Sequence, residues 1–366
     1  MLIHGKPYRS IWRDMKDGKI KIIDQRKLPH LLEIVTLNNL EQSVIAIRDM
    51  YVRGAPLIGV TAAFGFAISM QENSSDQAID ETYSCLMSSR PTAVNLEWAC
   101  RIFAEKLKPL PKDSRVGAAW QLAMEMVDDD VATNTRIGKF GVEIIRDIAE
   151  KKTDGSPVRI LTHCNAGWLA TVDRGTATAP MYEAIEQGIE IEVWVDETRP
   201  RNQGAALTTW ELHHNNIPNT LIVDNAGGHL MQHGQVDVVI VGSDRTTATG
   251  DVCNKIGTYL KALAAADTNV PFYAALPVST IDFSIDDGLQ IPIEERSSNE
   301  VLQMSGMTDQ GKVETINLTG SGILASNPAF DVTPARLVTG LITEHGIIEA
   351  KQSHLDELRL KLGLAE

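Results

Sequence analysis

The chain has little of what marks several protein classes. Only four cysteines occur in 366 residues, Cys85, Cys100, Cys164 and Cys253, and none forms a CxxC pair. That excludes a disulfide framework and makes a reducing cytosol, hence a cytoplasmic protein, the simplest expectation. No apolar run reaches the ~18–20 residues needed to span a bilayer. The opening residues, MLIHGKPYRSIWRDMKDGK, contain no continuous apolar core, so they do not read as a secretory signal. Positive charge is scarce: Lys and Arg number 34 against 48 Asp and Glu, a formal net charge of −14. Such a surface repels phosphate backbones and anionic lipid, so neither a nucleic-acid nor a membrane partner is expected. A small anionic ligand stays possible, because a few buried arginines set their own local field. The nine His include His213-His214, which reads as a solvated helix end, but no HExxH and no Cys/His cluster of zinc spacing. No metal is therefore expected. With no GxGxxG after the first strand of the second half and no GxxxxGK[ST], no nucleotide cofactor is expected either.

What is present is an ordinary globular composition, 43% hydrophobic and 22% charged, at a length suited to two domains or one large one. The first ~40 residues carry short β-like runs (IKIIDQ, LEIVTL) and predict a small antiparallel sheet. From about 43 the spacing becomes helical, with one break at Arg53-Gly54-Ala55-Pro56. Further helices are predicted near 75–88, 94–108 and 114–150. Beyond about 155, apolar β-rich runs (VRILTHC, IEVWVDE, TLIVDN, VDVVIVGSD, VPFYAALPV) alternate with helical segments near 176–188, 203–216, 226–233 and 254–267. That alternation predicts an α/β fold: a C-terminal Rossmann-like, doubly wound parallel sheet behind an N-terminal domain of a small antiparallel sheet plus helices. The polar stretch KKTDGSP puts the division near it, giving 1–148 and 149–366. DVTPARLVTGLITEHGII reads as a helix started by Thr333-Pro334 and stopped at Gly346.

In open parallel sheets, ligands bind beyond the carboxyl ends of the strands. Four successive strand ends carry reactive or charged residues beside glycine: His163-Cys164-Asn165-Ala166-Gly167, Asp196 to Gly204, Asp224 to His229, and Gly242-Ser243-Asp244-Arg245. A catalytic pocket on that rim is the favoured reading. Cys164 is the candidate nucleophile or acid/base, with a following helix able to lower its pKa; the plainer alternative is a buried structural thiol. Cys85 and Cys100 read as core, and Cys253 as structural. Asp244 ends a buried strand, so apolar walls can raise its pKa for general acid or base work. The alternative is a turn cap or an ion pair with Arg245. Pro56 suits the first position of a helix, whose N-terminus with Gly54 and Arg53 can take an anion; a plain helix–helix turn is the alternative. Asn254-Lys255, read as the next helix start, and Arg90, just before a predicted helix, are weaker candidates of this kind.

Taken together, RGAP-L-IGVTAAFG, RPTAVNL, LTHCNAG, DETRP…QGA-LT-WEL, VGSDR…GDV-NKIGT and NPAFDVTP resemble the methylthioribose-1-phosphate isomerases. Those enzymes of methionine salvage group with the regulatory subunits of eukaryotic initiation factor 2B and with ribose-1,5-bisphosphate isomerases. The resemblance runs from about residue 45 to 345 with every motif in order. It implies a homodimeric, cofactor-free aldose–ketose isomerase, an intramolecular oxidoreductase acting on a small phosphorylated sugar. It puts catalytic roles on Cys164 and Asp244. Substrate contacts fall on Arg53, Gly54, Ala55, Arg90, Gln203, Asn254 and Lys255.

The chain departs from the family pattern at Trp168, Asp173-Arg174, Thr249 and the DNAGGH loop. Trp168 and Arg174 lie just past Cys164, so they either shape the pocket around the sugar's 5-substituent or pack beneath the next helix. A 5-deoxyribose 1-phosphate therefore stands as an alternative substrate to the methylthio sugar. A non-catalytic regulatory subunit is the opposing class, and the Cys164/Asp244 pair discriminates against it.

Overall fold

The computed structural model describes residues 1–90 and 94–364. Pro91 and Thr92, part of the RPTAVNL motif, lie outside the described residues. The chain opens with a ribbon of β1 (Leu2–Ile3) and β2 (Lys6–Pro7), then an antiparallel sheet of β3 (Ile11–Arg13), β4 (Ile20–Ile23) and β5 (Ile34–Leu37). Helix α1 (Leu40–Arg48) begins at Asn39, whose side chain accepts the Gln42 N–H, the usual capping geometry for Asn. Helix α2 (Ala55–Glu72) is buried all along its length from Leu57 to Met70. A helix apolar all round belongs in a core, and α3 (Asp76–Ser89), α4 (Val94–Leu107) and α5 (Lys112–Lys151) wrap it. Leu57, Phe64, Phe66 and Phe103 centre that core. The first half of α5 packs there through Ala119, Leu122 and Val127, while Ile137, Val142 and Ile145 of its second half belong to the next core.

The second half is built on seven strands, in the spatial order β18 (Gly346–Ile348), β17 (Gly340–Thr343), β12 (Phe272–Ala275), β9 (Val238–Val241), β6 (Val158–Thr162), β7 (Ile191–Asp196) and β8 (Asn219–Ile222). The five sequence-predicted runs form β6, β7, β8, β9 and β12, all parallel. Between them stand α6 (Ala179–Glu186), α7 (Thr209–His214, entered from a π-helical turn Gly204–Thr208), α8 (Ala226–Gln232) and α9 (Thr258–Asp267). Every residue of β9 is buried, as both faces of a parallel strand are when helices cover them. Full burial of each such side chain contributes roughly 1.5–3 kcal/mol. A second sheet, β13-β10-β11-β16, pairs β10 (Arg245–Thr247), β11 (Val252–Lys255), β13 (Ile281–Asp282) and β16 (Phe330–Thr333). A short α10 (Asn299–Leu302) leads into an exposed hairpin of β14 (Gln303–Met307) and β15 (Val313–Asn317).

Three sequence expectations are corrected here. The segment read as a C-terminal helix is β16, a 3₁₀ turn, β17 (Gly340–Thr343) and β18 (Gly346–Ile348); the helix that ends the fold is α11 (Gln352–Lys361). Tyr273, Ala274 and Ala275 pair with Gly340, Leu341 and Ile342, so a waiting sheet edge captures the segment. Asn254 and Lys255 end a strand, β11, rather than start a helix, because Val252 to Lys255 pair with Thr333 to Phe330. Cys85, expected in the core, is exposed on α3, whereas Cys100 is buried. Among the described residues no helix is long and apolar enough to cross a membrane.

Candidate active site

The chain passes from β6 to β7 and β8 on one side, then returns to lay β9 against β6 on the other. That reversal opens a crevice at the carboxyl ends of β6 and β9, the place where such sheets take ligands. Cys164 follows β6 and Asp244 follows β9, so the two sequence candidates face one crevice. The antiparallel turn of β10 and β11 brings Asn254 and Lys255 back to it, with the Asp244 N–H donating to the Cys253 carbonyl at 2.9 Å. From the N-terminal half, the break before α2 delivers Arg53 and Gly54, and the end of α3 delivers Arg90.

Gly54 has φ +93, and a Cβ there would lie 2.5 Å from Ala170. Only glycine meets both demands, which seats the start of α2 against the loop after Cys164. Arg53 then donates to both oxygens of Asn165, at 2.6 Å to Oδ1 and 2.7 Å to the carbonyl. Cys164 itself holds φ +68, uncommon for a residue with a side chain and costing on the order of 1–3 kcal/mol. Two hydrogen bonds hold it there. Its N–H donates to Thr198 Oγ1 at 2.8 Å, and its carbonyl accepts from Thr208 Oγ1 at 2.7 Å.

One end of the cleft is cationic, lined by Arg53, Arg90, Arg201, Lys255 and Arg296. The other is lined by small or neutral groups: Ala55, Pro56, Ala166, Ala170, Thr176 and Pro277. Arg53, Gly54, Cys164 and Asp244 border both ends. Glu294 and Glu300 stand behind the cations, pairing with Arg90, Arg201 and Arg296 at 2.7–3.1 Å. Burial pushes Glu300 up, but Arg296 and Arg201 outweigh it and hold it at about 2. A larger cavity, about 370 Å³, opens between α2, α4 and α5, but neither Cys164 nor Asp244 reaches it.

Burial raises Asp244 above the usual carboxylate range, opposed by Arg90, Arg53 and Lys255. Its carboxyl is partly open to the cleft, yet protein surrounds it. Arg245, the partner considered for it, pairs with Asp282 at 3.3 Å. Burial also raises the Cys164 thiol, against Arg53 and Lys255. That corrects the expected lowering: directly after Cys164 comes only the 3₁₀ turn Trp168–Ala170, and the next α-helix, α6, starts at Ala179. Lys255 is lowered by burial, and its Nζ donates to the Ala329 carbonyl at 2.9 Å. Cys253 is buried with its thiol pushed far up.

Every sequence-predicted site residue reaches this cleft, Ala55 and Asn254 at its neutral end, Arg90 and Gln203 at its cationic end. Gln203 Oε1 and Arg90 Nε are buried with no protein partner among the described residues. Sequence reasoning missed Arg201 and Arg296. Arg201 had a signal, two residues before Gln203 in a strand-end loop; Arg296 had none, arriving on an irregular segment. The departures resolve toward packing. Trp168 is fully buried with its ring 6.2 Å from Trp210, and Arg174 pairs with Glu183 and Glu186. Below the cleft His163, Asp196 and Asp224 come together like metal ligands. There Lys261 Nζ already lies 3.2 Å from Asp196 and donates to the Asp224 carbonyl, so an ammonium meets that negative charge.

The initiation factor 2 subunit family model matches residues 51–350. The methylthioribose-1-phosphate isomerase of Sinorhizobium medicae is 56% identical over 98% of this chain and 99% of its own length. That of Rhizobium meliloti is 58% identical over 95% and 96%. Among solved structures, the 5-methylthioribose 1-phosphate isomerase of Pyrococcus horikoshii superposes with a TM-score of 0.83 at 37% identity, covering 97% of each chain. A structure titled translation initiation factor eIF-2B subunit delta, from A. fulgidus, gives 0.77 at 38% identity over 94% and 96%.

Proposed function

The chain belongs to the initiation factor 2 subunit family, and we propose that within it this protein is the isomerase converting 5-methylthioribose 1-phosphate to 5-methylthioribulose 1-phosphate. The two solved relatives carry different titles at nearly equal identity, so overall likeness does not choose between enzyme and regulatory subunit. Relatives at 55–58% identity over nearly the whole chain are all named as the isomerase. The observation that carries the reading is the cleft itself: a half-buried acid and a buried thiol at the junction of a cationic end and a small-residue end. We assign substrate contacts to Arg53, Gly54, Ala55, Arg90, Gln203, Asn254 and Lys255, with the 1-phosphate at the cationic end beside Arg53, Arg90, Gln203 and Lys255 and the methylthio group at the end walled by Pro56, Ala166, Ala170 and Pro277.

The chemistry follows from the substrate. A sugar 1-phosphate is locked as a ring acetal, so the C1–ring-oxygen bond breaks only when the ring oxygen gains a proton. We assign that proton to Asp244, whose carboxyl burial raises, the direction a general acid needs. Its donation leaves a carboxylate and an electron-poor C1. We infer that the hydrogen on C2 then moves to C1 with its electron pair, while Asp244 takes the proton from the C2 hydroxyl to leave the ketone. The raised Cys164 thiol stays neutral and forms an uncharged, dry wall against the reacting carbons rather than a base.

Turnover of methylthioribose 1-phosphate and of 5-deoxyribose 1-phosphate in deuterated water tests both levels. Faster turnover of the methylthio sugar with no solvent deuterium at C1 is expected. Activity on neither sugar overturns the isomerase, and deuterium at C1 overturns the hydrogen route alone. We also propose a cytoplasmic homodimer, checked by the mass in solution, with the cleft lying between segments 1–148 and 149–366.

A further inference from the structure

Glu211 is a fully buried carboxyl on α7 that the proposed chemistry does not use. It stands directly behind the loop carrying Cys164. The Leu169 N–H donates to its Oε2 at 3.2 Å, and the Tyr182 hydroxyl lies 3.5 Å from its Oε1. A Cβ on Gly167 would overlap Oε1 at 1.3 Å, so the glycine of the HCNAG motif exists to admit this carboxyl. Asn165 also faces it, and Asn165 is the residue whose two oxygens hold the Arg53 guanidinium. Thr208, one turn before Glu211, binds both the Asn165 amide and the Cys164 carbonyl. Glu211 therefore backs two members of the cleft, Arg53 at the cationic end and the Cys164 loop at the junction.

We propose that Glu211 is a positioning residue for Arg53 and the Cys164 loop, and that its ionisation tunes the grip of the cleft on the anionic substrate. This rests on the isomerase reading above. Burial raises Glu211 to about 7, against the Leu169 N–H, Asn165 and the Arg53 charge. The groups facing it are Tyr182 and Thr178 from α6 and the turn before it, with Asp173 acting on Tyr182. On its own helix His213 and His214 point to the far end, His214 Nδ1 being bound at the Trp210 carbonyl. Tyr182 is held well above its ordinary range by burial and by Glu211, so it keeps its proton as a donor. When Glu211 ionises, a negative charge appears behind Arg53 and offsets part of its attraction for phosphate.

The experiment compares steady-state kinetics of the full chain, Glu211→Gln and Tyr182→Phe with methylthioribose 1-phosphate on both sides of neutrality. The ratio of wild type to Glu211→Gln cancels the substrate's own ionisation and that of Asp244. That ratio in kcat/KM is expected to fall on the order of three- to tenfold as pH rises through about 7, through KM rather than kcat. Tyr182→Phe removes a donor to the ionised form, so its step moves to higher pH. A Glu211→Gln variant that keeps the wild-type step, or changes only its melting temperature, overturns the proposal. Should that variant fail to fold, an unmoved step in Tyr182→Phe overturns it equally. Wild-type inactivity sinks the isomerase reading and this one with it; an active wild type without the step sinks this one alone.

Discussion

Replacing Asp244 by Asn keeps the shape of the side chain and removes the proton it would give to the ring oxygen. Positioned general acids contribute typically about 10²–10⁴ in rate, so kcat is expected to fall on the order of 10³-fold. The behaviour of KM is the sharper part. Burial raises Asp244 against Arg90, Arg53 and Lys255, and the proposed mechanism requires its neutral form. Swapping a neutral acid for a neutral amide leaves the charge of the cleft unchanged, so KM should stay within about threefold. An ionised Asp244 would behave differently. Removing a unit charge a few ångströms from a bound phosphate, at an effective dielectric of about 20, is worth roughly 2–4 kcal/mol, and affinity would rise more than tenfold. Steady-state kinetics with methylthioribose 1-phosphate, beside a thermal melt to confirm folding, measures both. A kcat within tenfold of wild type refutes the acid role. A steep drop in KM refutes the neutral state on which the mechanism rests. For the wild type, the sign of the pH effect follows: activity is present while Asp244 is protonated and declines as pH rises through its raised pKa.

Cys164→Ser should fold normally, because the Thr198 and Thr208 bonds engage only its backbone; turnover should fall with KM retained, because a hydroxyl brings water to the dry wall, and near wild-type turnover in a kinetic assay would refute its place beside the reacting carbons. Asp130, whose carboxyl accepts the Val172 N–H at 2.7 Å, is raised by burial to about 7. A carboxyl raised on folding makes the native state bind more protons between its unfolded value and about 7, so stability falls across that window and is flat above it. Asp130→Asn should therefore raise the melting temperature above pH 7 and leave it nearly unchanged near pH 4; equal shifts at both would refute the reasoning.

Much of the fold was legible because its elements are long or strongly patterned. Helices α3, α4 and α5 show a clear helical repeat, and the five runs of the parallel sheet are bounded by turns. The segment from Thr333 to Gly346 was misread because its apolar residues satisfy helical spacing, and a four-residue strand buried on both faces leaves no alternation to contradict it. Pairing with β12, some 65 residues away, decides its form. Asn254 and Lys255 were identified for the cleft but placed on the wrong element for the same reason: β11 exists only because β10 and β16 flank it. Cys164 was located by its strand end, but its ionisation was misjudged. The local cue fails because the helix that follows starts only at Ala179, and desolvation by the whole surrounding protein dominates. Glu211 stands in the WEL motif, but nothing local gave it a role, since a glutamate in a short helix looks like any surface acid until the fold buries it.

The sequence by itself determined which chemical groups this protein brings to its ligand and on which strand ends they stand. Strand-end placement follows from the alternation of apolar runs and turns, and motif order carries the family. Only the tertiary structure decided their company. The return of β9 beside β6 sets Cys164 and Asp244 on one crevice, and Gly54 lets α2 bring Arg53 against the loop after Cys164. Charge state is likewise a tertiary property: a net charge of −14 belongs to the surface. The cleft gathers five cations around one acid, and burial, a sum over neighbours distant in sequence, determines which of its groups keep their protons.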